Sequence, residues 1–162
     1  MPTIAVLGTF DTKGPEHAFV ADAIRAQGHT PLLINVGSLN PPTLAPDIAA
    51  DTVAAAADSN YRAILDRRDR GESVSLMGRG AAQIVARLAA ENKIHGIVSL
   101  GGGGCTAIAT AAMRALPIGF PKLMVSTLAS GQTAHYVGTS DITMMPAIVD
   151  VAGINRVSRA IF

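Results

Sequence analysis

The sequence has few residues of the kinds that bind nucleic acids. It contains no Trp and only six aromatic side chains, four Phe and two Tyr, in 162 residues. Charged residues make up 15% of the chain and the formal net charge is +1, far from the basic balance that binding a phosphate backbone requires. Single-strand RNA binders also need several aromatics on which bases stack. We therefore expect no nucleic-acid partner.

Cysteine and long apolar runs are also scarce. Cys105 is the single cysteine, which rules out an internal disulfide and fits a reducing compartment. No apolar run approaches the roughly 18 residues that span a bilayer, and the N-terminus lacks the basic and apolar regions of a signal peptide. The four histidines are scattered without metal-ligand spacing, so we predict no metal site. A cytoplasmic protein with no membrane partner is expected.

Small aliphatic residues are abundant and fall into short runs that alternate with helical patterns. Hydrophobic residues make up 49% of the chain, enough for one domain with a sizeable core. Strands apolar on both faces are predicted at residues 3–7, 32–36, 96–100 and 123–126, with a fifth edge strand at 142–149. Their alternation with helices predicts an α/β fold: a doubly wound, mostly parallel sheet in a Rossmann-like three-layer sandwich.

The predicted helices have recognisable ends. Pro15 stands near the start of the first, whose apolar stripe would be Phe19, Ala23 and Ala26. Further helices are predicted at residues 47–57, 61–68, 81–92 and 105–115, with a last one, carrying Val151, Ile154, Val157 and Ile161, running to the end of the chain. The charged run 66–72 is interpreted as a solvated helix end. We expect the 162 residues to be one half of a longer protein.

A run of four glycines follows the third predicted strand. In an open parallel sheet, ligands bind beyond the carboxyl ends of the strands, near the point where the strand order reverses. Gly101, Gly102, Gly103 and Gly104 lie at such an end and open a helix, whose N–H groups and dipole favour a phosphate. The alternative is a tightly packed turn. The run is neither a complete G-x-G-x-x-G fingerprint, since Thr106 holds the last position, nor a P-loop, since Gly-Lys-Ser/Thr is absent.

The loop after the first predicted strand carries charged and hydroxyl side chains. Lys13 suits phosphate oxygens, and the hydroxyls of Thr9 and Thr12 can donate to phosphate. Asp11 can reach Mg²⁺ or a ribose. Alternatively, Asp11 caps the first helix and Lys13 is solvated. A lysine near a helix N-terminus is unfavourable unless an anion is nearby, which favours the functional interpretation.

A third polar segment follows the fourth predicted strand. Its candidate ligand contacts are Ser126, Ser130, Gly131, Gln132 and Thr133, small polar residues that can surround phosphates or a ribose. The alternative is a self-capping loop.

Three further observations concern residues outside these segments. The second strand ends without the carboxylate of an NAD site, which favours a mononucleotide; Cys105 is interpreted as a packing residue; and Arg70 and Arg79 are further candidates for phosphate contacts.

Four motifs in order along the chain resemble the Tm-one-like ATP-binding family, relatives of the tomato mosaic virus resistance protein. They are residues 8–13, 116–122, 126–133 and 150–155. The resemblance implies the first of two similar Rossmann-like subdomains, ATP as the ligand and a dimeric assembly. It places nucleotide contacts on residues 11–13, the glycine turn and residues 130–133. The glycine turn departs from the family's pattern, with Cys105 where a glycine is usual.

Three functions remain open at this point. The first is an ATP-binding domain, with or without Mg²⁺, whose activity requires a second similar subdomain. The second is part of an enzyme acting on a small phosphorylated or carboxylated metabolite, although no nucleophile–base pair is evident in the sequence. The third is a protein-interaction module. We rank them in that order.

Overall fold

A computed structural model describes residues 1–148 and 153–162 of the chain. The strands are β1 (Thr3–Gly8), β2 (Thr30–Asn35), β3 (Gly96–Gly101), β4 (Lys122–Ser126) and β5 (Thr143–Pro146). The helices are α1 (Gly14–Ala26), α2 (Ala50–Ala57), α3 (Tyr61–Asp66), α4 (Arg70–Ala90), α5 (Gly103–Arg114), α6 (Ala134–Val137) and α7 (Arg156–Ile161). The strands form one parallel sheet in the order β2-β1-β3-β4-β5, which confirms the predicted doubly wound, Rossmann-like fold.

The two faces of the sheet are both apolar, and the alternation of side chains along β1 shows why. Ala5 and Leu7 belong to the large core formed with α2, α4 and α5, whereas Val6 between them packs with Phe10 and Ala21 on the side of α1. A strand covered on both faces has few polar positions in its sequence. The continuous apolar runs therefore predicted these strands to within about two residues of their observed bounds.

The buried face of α1 differs from the predicted stripe. Ala23 and Ala26 are exposed and Phe19 is half-buried, whereas the residues directed into the protein include Glu16, His17, Val20 and Ala21. The predicted stripe was wrong because two polar side chains occupy positions on the buried face. Helical periodicity of apolar residues alone cannot recognise a buried Glu or His.

The charged run 66–72 is exposed throughout and contains the end of α3, as predicted. It also contains the start of the 21-residue α4, which was not predicted. Asp69 is the N-cap of α4, and its side chain accepts a hydrogen bond from the Glu72 N–H at 2.8 Å. The predicted helix 81–92 is thus the second half of α4, and Arg70 lies in its first turn rather than after a helix.

The last two predicted elements are shorter in the structure. β5 covers Thr143–Pro146, and Val149 of its predicted range lies outside the described residues. α7 begins at Arg156, where Asn155 forms a capping box with Ser158; Ile154 precedes it, and Val151 is outside the described part of the chain. The four-residue α6 was not predicted. Within residues 1–148 and 153–162, every helix is too short or too polar to cross a membrane.

An ion pair between the buried Lys122 and the exposed Asp141 lies at the start of β4. The Lys122 ammonium, whose side chain is fully buried, donates to Asp141 Oδ1 at 2.5 Å and to the Pro117 carbonyl at 2.7 Å. Asp141 Oδ2 accepts from the Gly119 N–H at 2.7 Å. The hydrogen bond from Lys122, followed by that from Gly119, lowers the pKa of the Asp141 carboxyl to about 2.

Asp141→Asn is expected to lower the free energy of unfolding near neutral pH, because it leaves the Lys122 ammonium buried without its counter-charge. The pKa of Asp141 is lower in the folded than in the unfolded state, so its contribution is present above about pH 4 and is lost as the pH falls towards 2. Urea unfolding of the parent and of Asp141→Asn across that pH range measures the difference in their free energies of unfolding. A difference that stays constant down to pH 2 would contradict the prediction.

Candidate functional site

The order of the strands determines where a ligand can bind. From β1 the chain crosses to β2 on one side and later returns to β3 on the other, so the strand order reverses between β1 and β3. Open parallel sheets bind ligands at this point, beyond the carboxyl ends of the strands. A cleft of about 470 Å³ lies here, within the roughly 300–1,000 Å³ usual for small-molecule sites. Its lining includes Thr9, Asp11, Thr12, Lys13, Val36, Gly37, Ser38, Leu39, Arg68, Arg70, Ser73, Val74, Gly102, Gly103, Gly104, Cys105 and Ile108.

The structure brings two of the three predicted segments together in this cleft. From the first loop it places Thr9, Asp11, Thr12 and Lys13 in the lining, and from the glycine turn Gly102, Gly103 and Gly104. The described lining does not include Gly101, Thr106, Ser126 or residues 130–133. Ser130, Gly131 and Gln132 are instead exposed beyond β4, with Thr133 half-buried beside them.

Thr106 and Ser126 support the glycine turn from behind. Both are fully buried, and the Thr106 hydroxyl donates to the Gly102 carbonyl at 2.8 Å. The Ser126 hydroxyl lies 2.7 Å from Thr106 Oγ1 and accepts from the Leu128 N–H at 3.0 Å. Since the Thr106 proton is used on Gly102, Ser126 donates to Thr106, which gives a continuous chain from β4 to the turn. These two hydroxyls hold the turn in place.

The glycine turn leads directly into α5. Gly102 is the N-cap and Gly103 the first helical residue, so the first N–H groups of a 12-residue helix have no partners within the helix. The Arg70 guanidinium lies above Gly104: a Cβ on that glycine would be 3.6 Å from Arg70 Nη2. An anion placed there meets backbone donors, the positive end of a helix dipole and a guanidinium at once.

Asp11 joins the first two loops. Its Oδ2 accepts from the Leu39 and Asn40 N–H groups at 3.1 and 3.2 Å, while Oδ1 is buried without a hydrogen-bond partner in the described part of the chain. A Cβ on Gly37 would lie 2.2 Å from that oxygen, so a side chain at position 37 would displace the Asp11 carboxylate. The predicted alternative, capping of the first helix, is wrong: Lys13 is the N-cap of α1.

The charges that line the cleft are mainly positive. Lys13, Arg68 and Arg70 supply three cations, against the single carboxylate of Asp11 within the described lining. Lys13 Nζ is 3.8 Å from the buried Glu16 Oε1, and Glu16 Oε1 also accepts from the Gly153 N–H at 2.7 Å. The chain as a whole carries only +1. Three of the 13 Lys and Arg residues therefore line this cleft, and Glu16 beside Lys13 offsets part of their charge.

Some lining residues were missed or misjudged from the sequence. Arg68, Ser73, Val74 and Ile108 were not predicted, and Arg79 does not belong to the described lining but donates to Ser75 Oγ at 2.8 Å. The signal that could have found Arg70 and Ser73 is the spacing of Asp69 and Glu72, typical of a helix N-terminus.

Cys105 is a buried part of the cleft wall. Its Sγ lies 3.6 Å from Ser99 Oγ and 3.5 Å from the Leu100 carbonyl oxygen. Burial raises the pKa of the Cys105 thiol, in opposition to the hydrogen bond with Ser99. A neutral thiol of this kind supports the interpretation of Cys105 as a packing residue. Groups of three or more His, Cys, Asp or Glu that could hold a metal are absent from the described residues.

His17 is a buried histidine directly beneath the first loop. It is fully buried, its Nδ1 lies 2.6 Å from the Lys13 carbonyl, and its ring centroid is 5.2 Å from that of Phe10. Burial is the largest influence on the ring and lowers the pKa of His17 to about 4, although the hydrogen bond with Lys13 acts in the opposite direction.

The free energy of unfolding is expected to fall between pH 6.5 and 4, because the unfolded chain gains a proton on His17 before the folded chain does. The loss from this group is about 3 kcal/mol in total. Urea unfolding of the parent and of His17→Phe across this range measures it, with His29→Phe, at an exposed position, as the control. The fall in the free energy of unfolding between pH 6.5 and 4 should disappear in His17→Phe only. An equal fall in all three proteins would contradict the prediction.

Comparisons with known proteins identify the sequence relatives of this chain. Residues 2–162 match the profile described as "Uncharacterised protein family (UPF0261) N-terminal domain". A UPF0261 protein of Rhizobium meliloti is 48% identical over 161 residues, which cover 99% of this chain and 39% of that protein. Another from Clostridium tetani is 48% identical over 158 residues, 98% of this chain and 39% of that protein. The ToMV resistance protein Tm-1(GCR237) of Solanum lycopersicum is 41% identical over 92 residues, 57% of this chain and 12% of that protein. The chain thus spans about two fifths of the two bacterial relatives.

Proposed function

We propose that this chain, which belongs to the uncharacterised protein family UPF0261 as its N-terminal domain, binds ATP in the cleft between β1 and β3. The observation that carries the proposal is the surplus of positive charge around a glycine turn at a helix N-terminus. Lys13, Arg68 and Arg70 line the same cleft as Gly102–Gly104. Several cations beside free N–H groups suit a polyphosphate better than a singly charged ligand.

The cleft lining offers a candidate contact for each part of the proposed nucleotide. The phosphates would lie against the glycine turn, between Lys13 and Arg70. The hydroxyls of Thr9, Thr12 and Ser38 are available to the ribose, and Val36, Leu39, Val74 and Ile108 add apolar surface for a base. A Mg²⁺ ion would reach the site with the phosphates, beside Asp11 as the nearby carboxylate.

Binding alone is proposed, without a reaction. Covalent catalysis by a side chain requires a nucleophile and an activating base within hydrogen-bond distance of each other. The titratable side chains in the described lining are Asp11, Lys13, Arg68, Arg70 and Cys105. Asp11 Oδ2 is already used by two backbone N–H groups, and burial keeps Cys105 protonated by raising its pKa. In the longer relatives, the remaining three fifths of the chain could supply groups that act on a bound nucleotide.

Calorimetry and thermal-shift measurements with ATP, ADP, GTP and NAD, each with and without Mg²⁺, test the proposal. A ligand that binds the folded state raises the melting temperature by mass action. The account predicts saturable binding of ATP and a clear rise in melting temperature. NAD should bind more weakly, because β2 is followed by Val36, Gly37 and Ser38 rather than by the carboxylate of an NAD site. No response to any of the four nucleotides would reject the proposal.

We also propose how this chain takes part in a larger assembly. The resemblance to the Tm-one-like family leads us to expect a second, similar subdomain in the longer relatives, a homodimer and a cytoplasmic location. Light scattering after size exclusion, on this chain and on the full-length Rhizobium meliloti relative, measures the oligomeric state. A dimer in the full-length protein is the expected result, and a monomer at all concentrations would contradict it.

A further inference from the structure

The imidazole of His17 contacts both ends of the loop that carries the phosphate-binding candidates. At one end the ring lies against Gly8, the last residue of β1, so closely that a Cβ on Gly8 would be 1.9 Å from His17 Nε2. At the other end His17 Nδ1 is 2.6 Å from the carbonyl oxygen of Lys13. Residues 9–12 lie between these two contacts and form, together with Lys13, the first loop of the cleft.

We propose that His17 is a positioning residue that holds this loop in the shape required for binding phosphate. The inference rests on the proposed ATP binding, because it assigns His17 a role in the same site. His17 is absent from the described lining of the cleft and would not touch the ligand. It would act through Lys13, whose backbone it fixes.

The hydrogen-bond partners determine the tautomer of His17. A carbonyl oxygen only accepts hydrogen bonds, so the proton of the neutral ring lies on Nδ1 and is donated to Lys13. The Lys13 carbonyl accepts a second bond from the His17 N–H at 3.1 Å. Both donors on one carbonyl belong to the same residue, which fixes the direction in which the chain enters α1.

The cost of burying an imidazole supports this role. His17 Nε2 is buried and has no hydrogen-bond partner in the described part of the chain, at a cost of about 1–3 kcal/mol. A phenyl ring would fill the space against Gly8 and Phe10 without that cost. The gain that distinguishes imidazole from an apolar ring at this position is the bond to Lys13.

Hydrogen bonds within the loop also restrict its conformation, so contacts at its two ends are enough to hold it in one shape. The Thr12 and Lys13 N–H groups donate to the Thr9 carbonyl at 3.2 and 2.8 Å, and the Thr12 hydroxyl donates to Thr9 Oγ1 at 2.9 Å. With both ends held by His17, the loop has little freedom left to lose when phosphate binds. A loop ordered in advance binds its ligand more tightly for that reason.

The test compares two substitutions of His17 in the 162-residue chain. His17→Phe keeps a ring against Gly8 and removes the donor to Lys13, whereas His17→Asn can place an amide N–H near the position of Nδ1. His29→Phe, at an exposed position, is the control. Calorimetry near neutral pH gives the ATP dissociation constant, and thermal unfolding of each variant gives the temperature range in which it is folded.

We expect the folded His17→Phe variant to bind ATP roughly tenfold more weakly than the parent. This factor corresponds to the loss of the hydrogen bond to Lys13 and of the loop order that depends on it. His17→Asn should remain within about threefold of the parent, and His29→Phe should bind as the parent does. A purely structural role would lower stability in both His17 variants without separating their affinities. Equal affinity of His17→Phe and the parent, or equal loss in both variants, would overturn the inference.

A measurement on the parent protein covers the case in which the variants do not fold. Nitrogen NMR shifts identify which ring nitrogen of His17 carries the proton, and the exchange rate of that proton with solvent should fall when ATP binds. A proton on Nε2, or exchange unaffected by ATP, would overturn the inference. A parent chain that binds no ATP would reject the proposed function instead, and the tautomer would still show whether His17 holds Lys13.

Discussion

Gly80→Ala is expected to lower the free energy of unfolding by about 3 kcal/mol or more, the upper end of what overpacking costs. A Cβ on Gly80 would lie 1.9 Å from the Val53 carbonyl oxygen and 2.8 Å from its carbon. Val53 is a fully buried residue of α2, and a backbone carbonyl cannot rotate away as a side chain can. The substitution therefore has to push α2 away from α4, and urea unfolding measures the cost.

Gly78→Ala is the matched control, two residues earlier in the same helix. Its added Cβ would meet the Ala111 Cβ at 3.4 Å, an ordinary contact between methyl groups. Because alanine is favoured over glycine in a helix by up to about 1 kcal/mol, Gly78→Ala should be neutral or slightly stabilising. Equal effects of the two substitutions would contradict the observed packing of α4 on α2.

Arg70→Ala is expected to weaken ATP binding roughly 10- to 100-fold, the equivalent of a lost hydrogen bond to a charged group. The guanidinium lies above Gly104 at the N-terminus of α5, where the proposed phosphate would bind. Lys13→Ala should reduce the affinity by a similar factor, because Lys13 lines the same cleft. Calorimetric titration with ATP gives both values, and urea unfolding establishes that each variant is folded.

Arg79→Ala provides the matched control for Arg70. Both arginines are exposed residues of α4, but Arg79 is outside the described lining of the cleft and contacts Ser75. The same charge is removed from the same helix, so a non-specific effect of net charge should appear equally in both variants. If Arg79→Ala weakened ATP binding as much as Arg70→Ala, the cleft would not be the binding site.

The sheet could be predicted because its strands are apolar on both faces, whereas the first half of α4 could not. Residues 70–80 of that helix include Gly71, Gly78 and Gly80, each of which disfavours a helix. The structure explains Gly80, because α2 packs so closely that no side chain fits. The low helix propensity of these glycines is outweighed by the packing between helices. That packing cannot be recognised from the sequence of one segment.

The candidate site was predictable where it depends on loops that directly follow strands. The glycine turn and residues 9–13 were found in this way, since the ends of β3 and β1 bring them to one edge. Arg68 and Arg70 come from the break between α3 and α4, which was not predicted, so Arg68 was missed and Arg70 was only a secondary candidate. Residues 130–133 lie beyond β4, one strand away from the switch point, which explains why they are not in the described lining.

Titration of the isotope-labelled chain with ATP, followed through backbone amide NMR shifts, tests the central claim most directly. We expect the largest shifts on residues 9, 11–13, 37–39 and 102–105, which line the cleft together, with smaller shifts at residues 130–133. Saturable shifts centred on residues 130–133, or on the opposite edge of the sheet, would contradict it, and so would the absence of any shift.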